Sequence, residues 1–325
     1  MMLKWYLGVL AFSFSFCSIF LNMIIFMPVF RLAFIAKKSS VYIIAFFNII
    51  SDLFQLFIVF FYLSPCMIAD RYVFTGERDN WASVFLGGFF LNAWYMECLV
   101  QVVMAVNRHV SQALETLRTC SCRFTIITLK QYHVFTFRIT SIIFVLLVSF
   151  TVFTAYAVQT LTPCCVFIND HEVLSVRFIP IDGVYNYSNL ILVSLDIFST
   201  ISPTLCYISV FFTLRAAGAA VAASTDSKEK SKQDVKYLLQ FVFISVFYVF
   251  TWVLFEILPH VVPAGEVEWF AIVPILITCN CSSNSVIYLC VNREVQRSLP
   301  IPWLRDHLSK PKPSSTAART TDAVV

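Results

Sequence analysis

The sequence predicts an all-α membrane protein, a bundle of seven transmembrane helices. Three observations carry this: too little charge for a soluble surface, seven long stretches almost free of charge, and a steep imbalance in where lysine and arginine fall between them. Only 13% of residues are Asp, Glu, Lys or Arg, against roughly 25% in soluble globular chains. Hydrophobic residues make up 59%, 34 of the 325 positions are Phe, and mean hydropathy is +0.78. A soluble fold of this length cannot cover itself with so few polar side chains. A bilayer removes that need, because lipid solvates the helix exteriors.

Each helix follows from a gap between charges. Lys4 and Arg31 enclose 26 uncharged residues, Arg138 and Asp170 enclose 31, Lys236 and Glu256 enclose 19, and Glu268 and Arg293 enclose 24. Three more stretches hold a single carboxylate each: Asp52, Glu97 and Asp196. About 20 apolar residues cross the hydrocarbon core, which places spans at 5–30, 41–63, 83–107, 137–161, 186–214, 237–259 and 268–291. The first stretch is too long for a signal-peptide core of about 7–15 residues, and its basic residues follow it rather than precede it. It therefore reads as helix one. Residues 1–299 form one seven-helix bundle, and 300–325 read as a disordered cytoplasmic tail. After helix seven, Val291, Val295 and Leu299 recur every four residues beside Arg293 and Arg297. This pattern suits a short amphipathic helix on the inner membrane surface, ended by Pro300 and Pro302.

Orientation follows from basic residues. With the N-terminus outside, four lie outside (Lys4, Arg71, Arg78, Arg177) and the remaining nineteen of 23 lie inside. Asn186-Tyr-Ser188, a glycosylation sequon, then falls outside at the start of helix five. Of the eleven cysteines, most sit in apolar runs and read as small core residues.

Ionisable residues inside spans carry the functional signal. A carboxylate at mid-bilayer costs about 2.5–3.5 kcal/mol on insertion scales, and Asp52, Glu97 and Asp196 all accept that cost. They are either protonated or paired groups that fix packing, or members of an ion or ligand site. Two short motifs stand at inner helix ends: Asn107-Arg108-His109 in helix three, and Asn284-Ser-Val-Ile-Tyr288 in helix seven. Phe47-Asn48-Ile-Ile-Ser-Asp52 lies in helix two, and Pro203 in helix five.

These motifs resemble the switch motifs of rhodopsin-like G-protein-coupled receptors, with Asn107 in place of an Asp and Ser285 in place of a Pro. The segments AVNRH, SKEKSKQDVKYLLQ and CNCSSNSVIYLCVNRE are similar to those of nematode serpentine chemoreceptors, class x or a relative. Helix four lacks a Trp, and Trp252 in helix six is not followed by a Pro two residues later, so the chain departs from the superfamily pattern there. The resemblance implies that Asn107, Arg108, Asn284 and Tyr288 form the G-protein switch. Asn107 cannot supply the usual ionic partner for Arg108, which implies a looser resting state. Loss of a helix breaker at Ser285 implies a less kinked helix seven.

The resemblance also implies a polar core of Asp52, Glu97, Asn280 and Asn284. In related receptors this is a sodium site, and oxygen ligands suit a hard cation. Two carboxylates can instead share a proton. A structural sodium at Asp52 is thus the one cofactor implied. Ligand-pocket candidates are Asn92, Tyr95, Asp196, Trp252 and Glu256, the last of which has solvent as its alternative. Helix seven has no Lys, which excludes a retinal Schiff base like that of visual opsins. Related receptors tie the second outer loop to the top of helix three by a disulfide. No Cys lies near Ser83 to do this, which leaves Cys66 bridging Cys164 or Cys165.

The partners implied are a heterotrimeric G protein, a small-molecule or pheromone ligand (a peptide being the alternative), the bilayer, and arrestin and a receptor kinase acting on the Ser/Thr-bearing tail, with no nucleic acid. The location implied is the plasma membrane, with a sensory cilium as the specialised case. A transporter would favour internal repeats and paired Gly- or Pro-broken helices, and the seven Gly show no repeat. An intramembrane enzyme would need a motif such as G-x-S-x-G or H-E-x-x-H, and neither occurs.

Overall fold

The computed structural model describes residues 2–73, 76–78, 80–119, 135–162, 164–220, 225–263 and 265–309, with side chains described except at 112–119, 214–220, 225–242, 304, 306, 308 and 309. Among the described residues, seven helices are long and apolar enough to cross a bilayer, as predicted. They are α1 (Met2–Ile35), α2 (Ser40–Ala69), α3 (Trp81–Thr119), α4 (Phe137–Leu161), α5 (Tyr187–Ala220), α6 (Thr225–Val261) and α7 (Val267–Val291).

The helices divide by burial. The membrane windows of α2 and α3 are each 67% buried and that of α7 is 56%, whereas α6 is 17% and α4 22%. The first three form the centre and carry the polar core. The outer helices turn phenylalanines such as Phe150, Phe153, Phe198, Phe212 and Phe250 outward. Lipid is as apolar as these rings, so their exposure costs nothing in a bilayer. Caps and breaks follow local chemistry. Ser39 and Thr136 accept from Val41 N and Ile139 N at the starts of α2 and α4, satisfying otherwise orphaned donors. A π-helical turn at Val59–Leu63 directly precedes Pro65, which lacks the N–H that regular α-helical bonding requires.

Between α4 and α5 lies a two-stranded antiparallel hairpin, β1 (Phe167–Asp170) and β2 (Ser175–Phe178), in the register Phe167↔Phe178 and Asp170↔Ser175. Leu174 closes its turn at φ 56°, a conformation that strains a residue with a branched side chain. Its fully buried side chain packs with Leu63, Met67 and Ala271, anchoring the turn to α2 and α7. Gln159 in α4 accepts from Phe167 N (2.8 Å) and donates to Phe167 O (2.9 Å), capping β1 as a neighbouring strand would.

Two expectations need correction. The cysteine link joins Cys164 to Cys165, and Cys66 is a free, buried thiol that accepts from Val73 N at 3.5 Å. Beyond α7 there is no single amphipathic helix running to Pro300. A five-residue turn, α8 (Arg293–Arg297), is capped by Asn292, whose Oδ1 accepts from Glu294 N and Val295 N. Val295 and Leu299 are buried in the protein. Pro302 does not end a helix but begins one, α9 (Pro302–Ser309), because proline's missing N–H is harmless in a first turn. This stretch of the expected disordered tail is therefore helical, and 310–325 lie outside the described residues.

Candidate ligand and signalling sites

The outermost site is an electrostatic hub. Asp170 is fully buried; its Oδ2 meets Arg177 Nη2 (2.6 Å) and Nε (2.8 Å) and Arg78 Nη2 (3.5 Å). Its Oδ1 accepts from Tyr72 OH (2.8 Å) and Glu172 N (2.9 Å). Burial and the bond to Asp170 raise the Tyr72 phenol above its ordinary range. The neighbouring His171 packs edge-on against Tyr72, and burial lowers its imidazole below its usual value. A buried carboxylate is tolerable here because every oxygen is charge-paired or hydrogen-bonded. No side chain in this hub was singled out from the sequence, and an acidic hairpin residue carries no motif that would have marked it.

Beneath the hairpin lies a small cavity of about 20 Å³, lined among others by Trp94, Phe167, Asp196, Trp252, Phe255 and Ile277. That is room for little more than a water. Asp196 Oδ1 accepts from Trp94 Nε1 (3.0 Å) and Tyr248 OH (2.6 Å) and lies 3.4 Å from Cys98 Sγ. Trp94 stacks on Tyr248 at 5.4 Å, and Trp252 Nε1 donates to Thr200 Oγ1 (3.2 Å). Of the residues expected at a ligand pocket, Asp196 and Trp252 line this cavity. Asn92 and Tyr95 do not, and Tyr95 is fully buried. On α3 the cavity face is Phe90, Leu91 and Trp94, spaced by three and four residues, so the residues expected there lie one position off that face. Glu256 lines a separate, wider cavity nearer the mouth.

Midway down, Asp52, Glu97, Asn280 and Asn284 come together with further polar side chains. Asp52 Oδ2 accepts from Asn48 Nδ2 (3.0 Å) and Asn284 Nδ2 (3.2 Å). Glu97 accepts from Gln55 Nε2 (2.8 Å) and, at very short range, from Asn280 Nδ2. Ligand atoms of Asp52, Glu97 and Cys281 lie within 4.8 Å of one another. Asp52 Oδ1, Gln55 Oε1 and Asn280 Oδ1 are buried without hydrogen-bond partners. Three orphaned oxygens, one of them on a carboxylate, fit a hard cation or a proton. Ser285 Oγ donates to Asn22 Oδ1 (2.7 Å), and Asn22 Nδ2 donates to Cys281 O (3.1 Å). The serine that stands in place of proline therefore ties α7 to α1, and α7 stays α-helical from Ile272 to Val291.

At the inner end, Asn107 is buried and Arg108 lies within electrostatic reach of Tyr207 in α5 and Tyr288 in α7. His109 Nε2 and Ser209 Oγ are 2.9 Å apart, joining α3 to α5. Glu294 bonds Lys38 (2.5 Å) and Tyr42 OH (2.6 Å), and these partners, Lys38 first, lower its carboxyl below the usual range.

The matching family model, described as the serpentine type 7TM GPCR chemoreceptor Srx, covers residues 12–292. The chain belongs to the Srx family. No curated relative matches it by sequence. Its fold is similar to that in the crystal structure of squid rhodopsin, at 13% identity and a TM-score of 0.69, covering 96% of this chain and 92% of that one. This Srx chain is accordingly a multi-pass seven-helix receptor of the G-protein-coupled class, and not an enzyme. The resemblance drawn from AVNRH and the helix-seven segment holds at the level of the family. The Trp94–Tyr248–Cys98 set around Asp196 was not legible in advance. Only helical phase relative to Asp196 could have suggested it.

Proposed function

We propose that this Srx protein is a chemosensory receptor that binds a small extracellular ligand in the outer half of the bundle and activates a heterotrimeric G protein. One observation carries the reading most: buried polar side chains recur at each level from the outer cavity to the inner helix ends. Asp196 contacts Cys98, whose chain neighbour Glu97 bonds Asn280. Asp52 bonds Asn284, one turn from Tyr288, which faces Arg108. Such a series is costly in a membrane unless it is used, and it spans the distance over which a ligand must act.

In this reading Asn107, Arg108, Asn284 and Tyr288 form the switch. The Asp52–Glu97 cluster holds sodium, with a shared proton as the other state that satisfies the same atoms. The hairpin end faces outward at the plasma membrane, Asn186 carries a glycan, and arrestin and a receptor kinase act from inside. Nineteen inner basic residues against four outer ones support that orientation. The deciding measurement is ligand-dependent nucleotide exchange on G proteins in cells, with Arg108→Ala as the silent control. Substrate flux into vesicles without G protein would reject the reading.

A further inference from the structure

The outer half holds a second cavity, wider than the first, of about 310 Å³. It lies between β2 and the outer ends of α5, α6 and α7. Its walls are largely apolar, with Val176, Phe178, Phe255, Phe270 and Val273 among them. It shares Val176, Phe255 and Val273 with the small cavity beneath the hairpin, so it sits as a vestibule over that deeper space. Three ionisable side chains face it: Glu256, His260 and Arg177.

These three are not equivalent. Arg177 is committed, with two nitrogens on buried Asp170 and a third contact to Glu172 at 3.6 Å. An anionic ligand would have to break that pair. His260 is exposed at the rim, one turn beyond Glu256 on α6. Glu256 accepts from Asn189 Nδ2 at 3.1 Å through Oε2, while its Oε1 is buried without a hydrogen-bond partner. The cavity thus has in its wall a carboxylate with one unpartnered oxygen, set among aromatic rings whose faces attract cations. Cavities of roughly this size with few polar groups are ordinary small-ligand sites.

We propose that this vestibule binds a protonated amine with an apolar body, Glu256 being its counter-ion. The proposal deepens the receptor reading by naming ligand chemistry, yet binding itself needs no signalling. The full chain in lipid nanodiscs would be melted with phenethylamine, tryptamine and hexylamine, each against the carboxylate of matched skeleton: 3-phenylpropionate, indole-3-propionate and heptanoate. At least one amine is expected to raise Tm while its carboxylate does not. Glu256→Gln should weaken that amine about tenfold or more, equivalent to about 1.4 kcal/mol, and Glu256→Asp should retain most of the affinity. Should Glu256→Gln fail to fold, His260→Lys serves instead: an added cation four residues on pairs with Glu256 and should weaken the amine.

Stabilisation by none of the amines, equal stabilisation by the carboxylates, or an amine indifferent to these substitutions would overturn the proposal. Amine binding without nucleotide exchange would uphold the site and count against the receptor reading. Exchange driven by a ligand indifferent to Glu256→Gln would overturn the site and leave that reading standing.

Discussion

The main-chain carbonyl of Phe167 occupies the space that a side chain on Gly87 would need: a Cβ there would lie 2.8 Å from the Phe167 carbonyl carbon and closer still to its oxygen. α3 and the hairpin touch backbone to backbone at this point, and Gln159 clamps the same Phe167 from α4. With no cysteine at the top of α3, this contact and the Asp170 hub do the work of a tether. Gly87→Ala should displace β1 and cost about 1–3 kcal/mol, the usual range for overpacking. Hydrogen exchange across 167–178 should speed up, and Tm should fall. Unchanged protection would show that the hairpin is held elsewhere.

The hub also predicts a pH dependence. Burial holds His171 below its ordinary 6.5, against the opposing pull of Asp170, Asp70 and Glu172, with Lys4 acting in the same sense as burial. The undocked hairpin therefore binds the proton first. The contribution is intact above pH 6.5 and is lost as pH falls below it, through the lowered folded value. Tm is expected to drop between neutral and mildly acid pH, and His171→Gln should flatten that drop. An equal drop in the variant would assign it to another group.

Gaps between charges located every span because a bilayer penalises charge along the whole helix, a signal summed over some twenty residues. Asp52, Glu97 and Asp196 stood out for the same reason, each a costly exception in an apolar stretch, whereas Asn280 and Asn284 were named through the helix-seven motif. The cavity wall was not legible. Choosing Trp94 over Tyr95 requires the rotation of α3 to within about 100°, and that is set by packing against Tyr248 and the hairpin. The cysteine pairing and the second short helix were misread for a related reason. Residue types at 66, 164, 165, 300 and 302 permit several local geometries, and only neighbours in space select among them.

The mid-bundle cluster predicts coupling between ions and ligand. Ligand atoms of Asp52 and Glu97 lie within 4.8 Å, close enough to share one cation, with Asp52 Oδ1, Gln55 Oε1 and Asn280 Oδ1 unpartnered. A ligand that binds the active arrangement should bind more weakly as the inactive-state cation is raised, and the coupling is reciprocal. Substituting potassium for sodium, and shifting pH at fixed sodium, should each change agonist affinity by roughly 5–150-fold at most, the span of typical couplings. Asp52→Asn should remove both dependences, and their persistence would place the ion elsewhere.

The proposed switch predicts that Asn107 tunes the resting level. It is 3% exposed and directly precedes Arg108, which faces Tyr207 and Tyr288. An amide in this position offers Arg108 no charge, so the inactive arrangement lacks one attraction. An Asp would supply about 1 kcal/mol at 4 Å in water and about 4 kcal/mol at the effective dielectric of a protein surface. Each 1.4 kcal/mol is tenfold in the balance of two states, so Asn107→Asp should lower agonist-free signalling severalfold or more. Agonist-driven exchange should survive, shifted to higher agonist concentration, because a ligand moves the balance only by its own preference between states. The measurement is nucleotide exchange without ligand at matched surface expression, read beside Arg108→Ala, which should be silent. Basal exchange that is unchanged or raised in Asn107→Asp would mean that Arg108 is restrained by partners other than its chain neighbour.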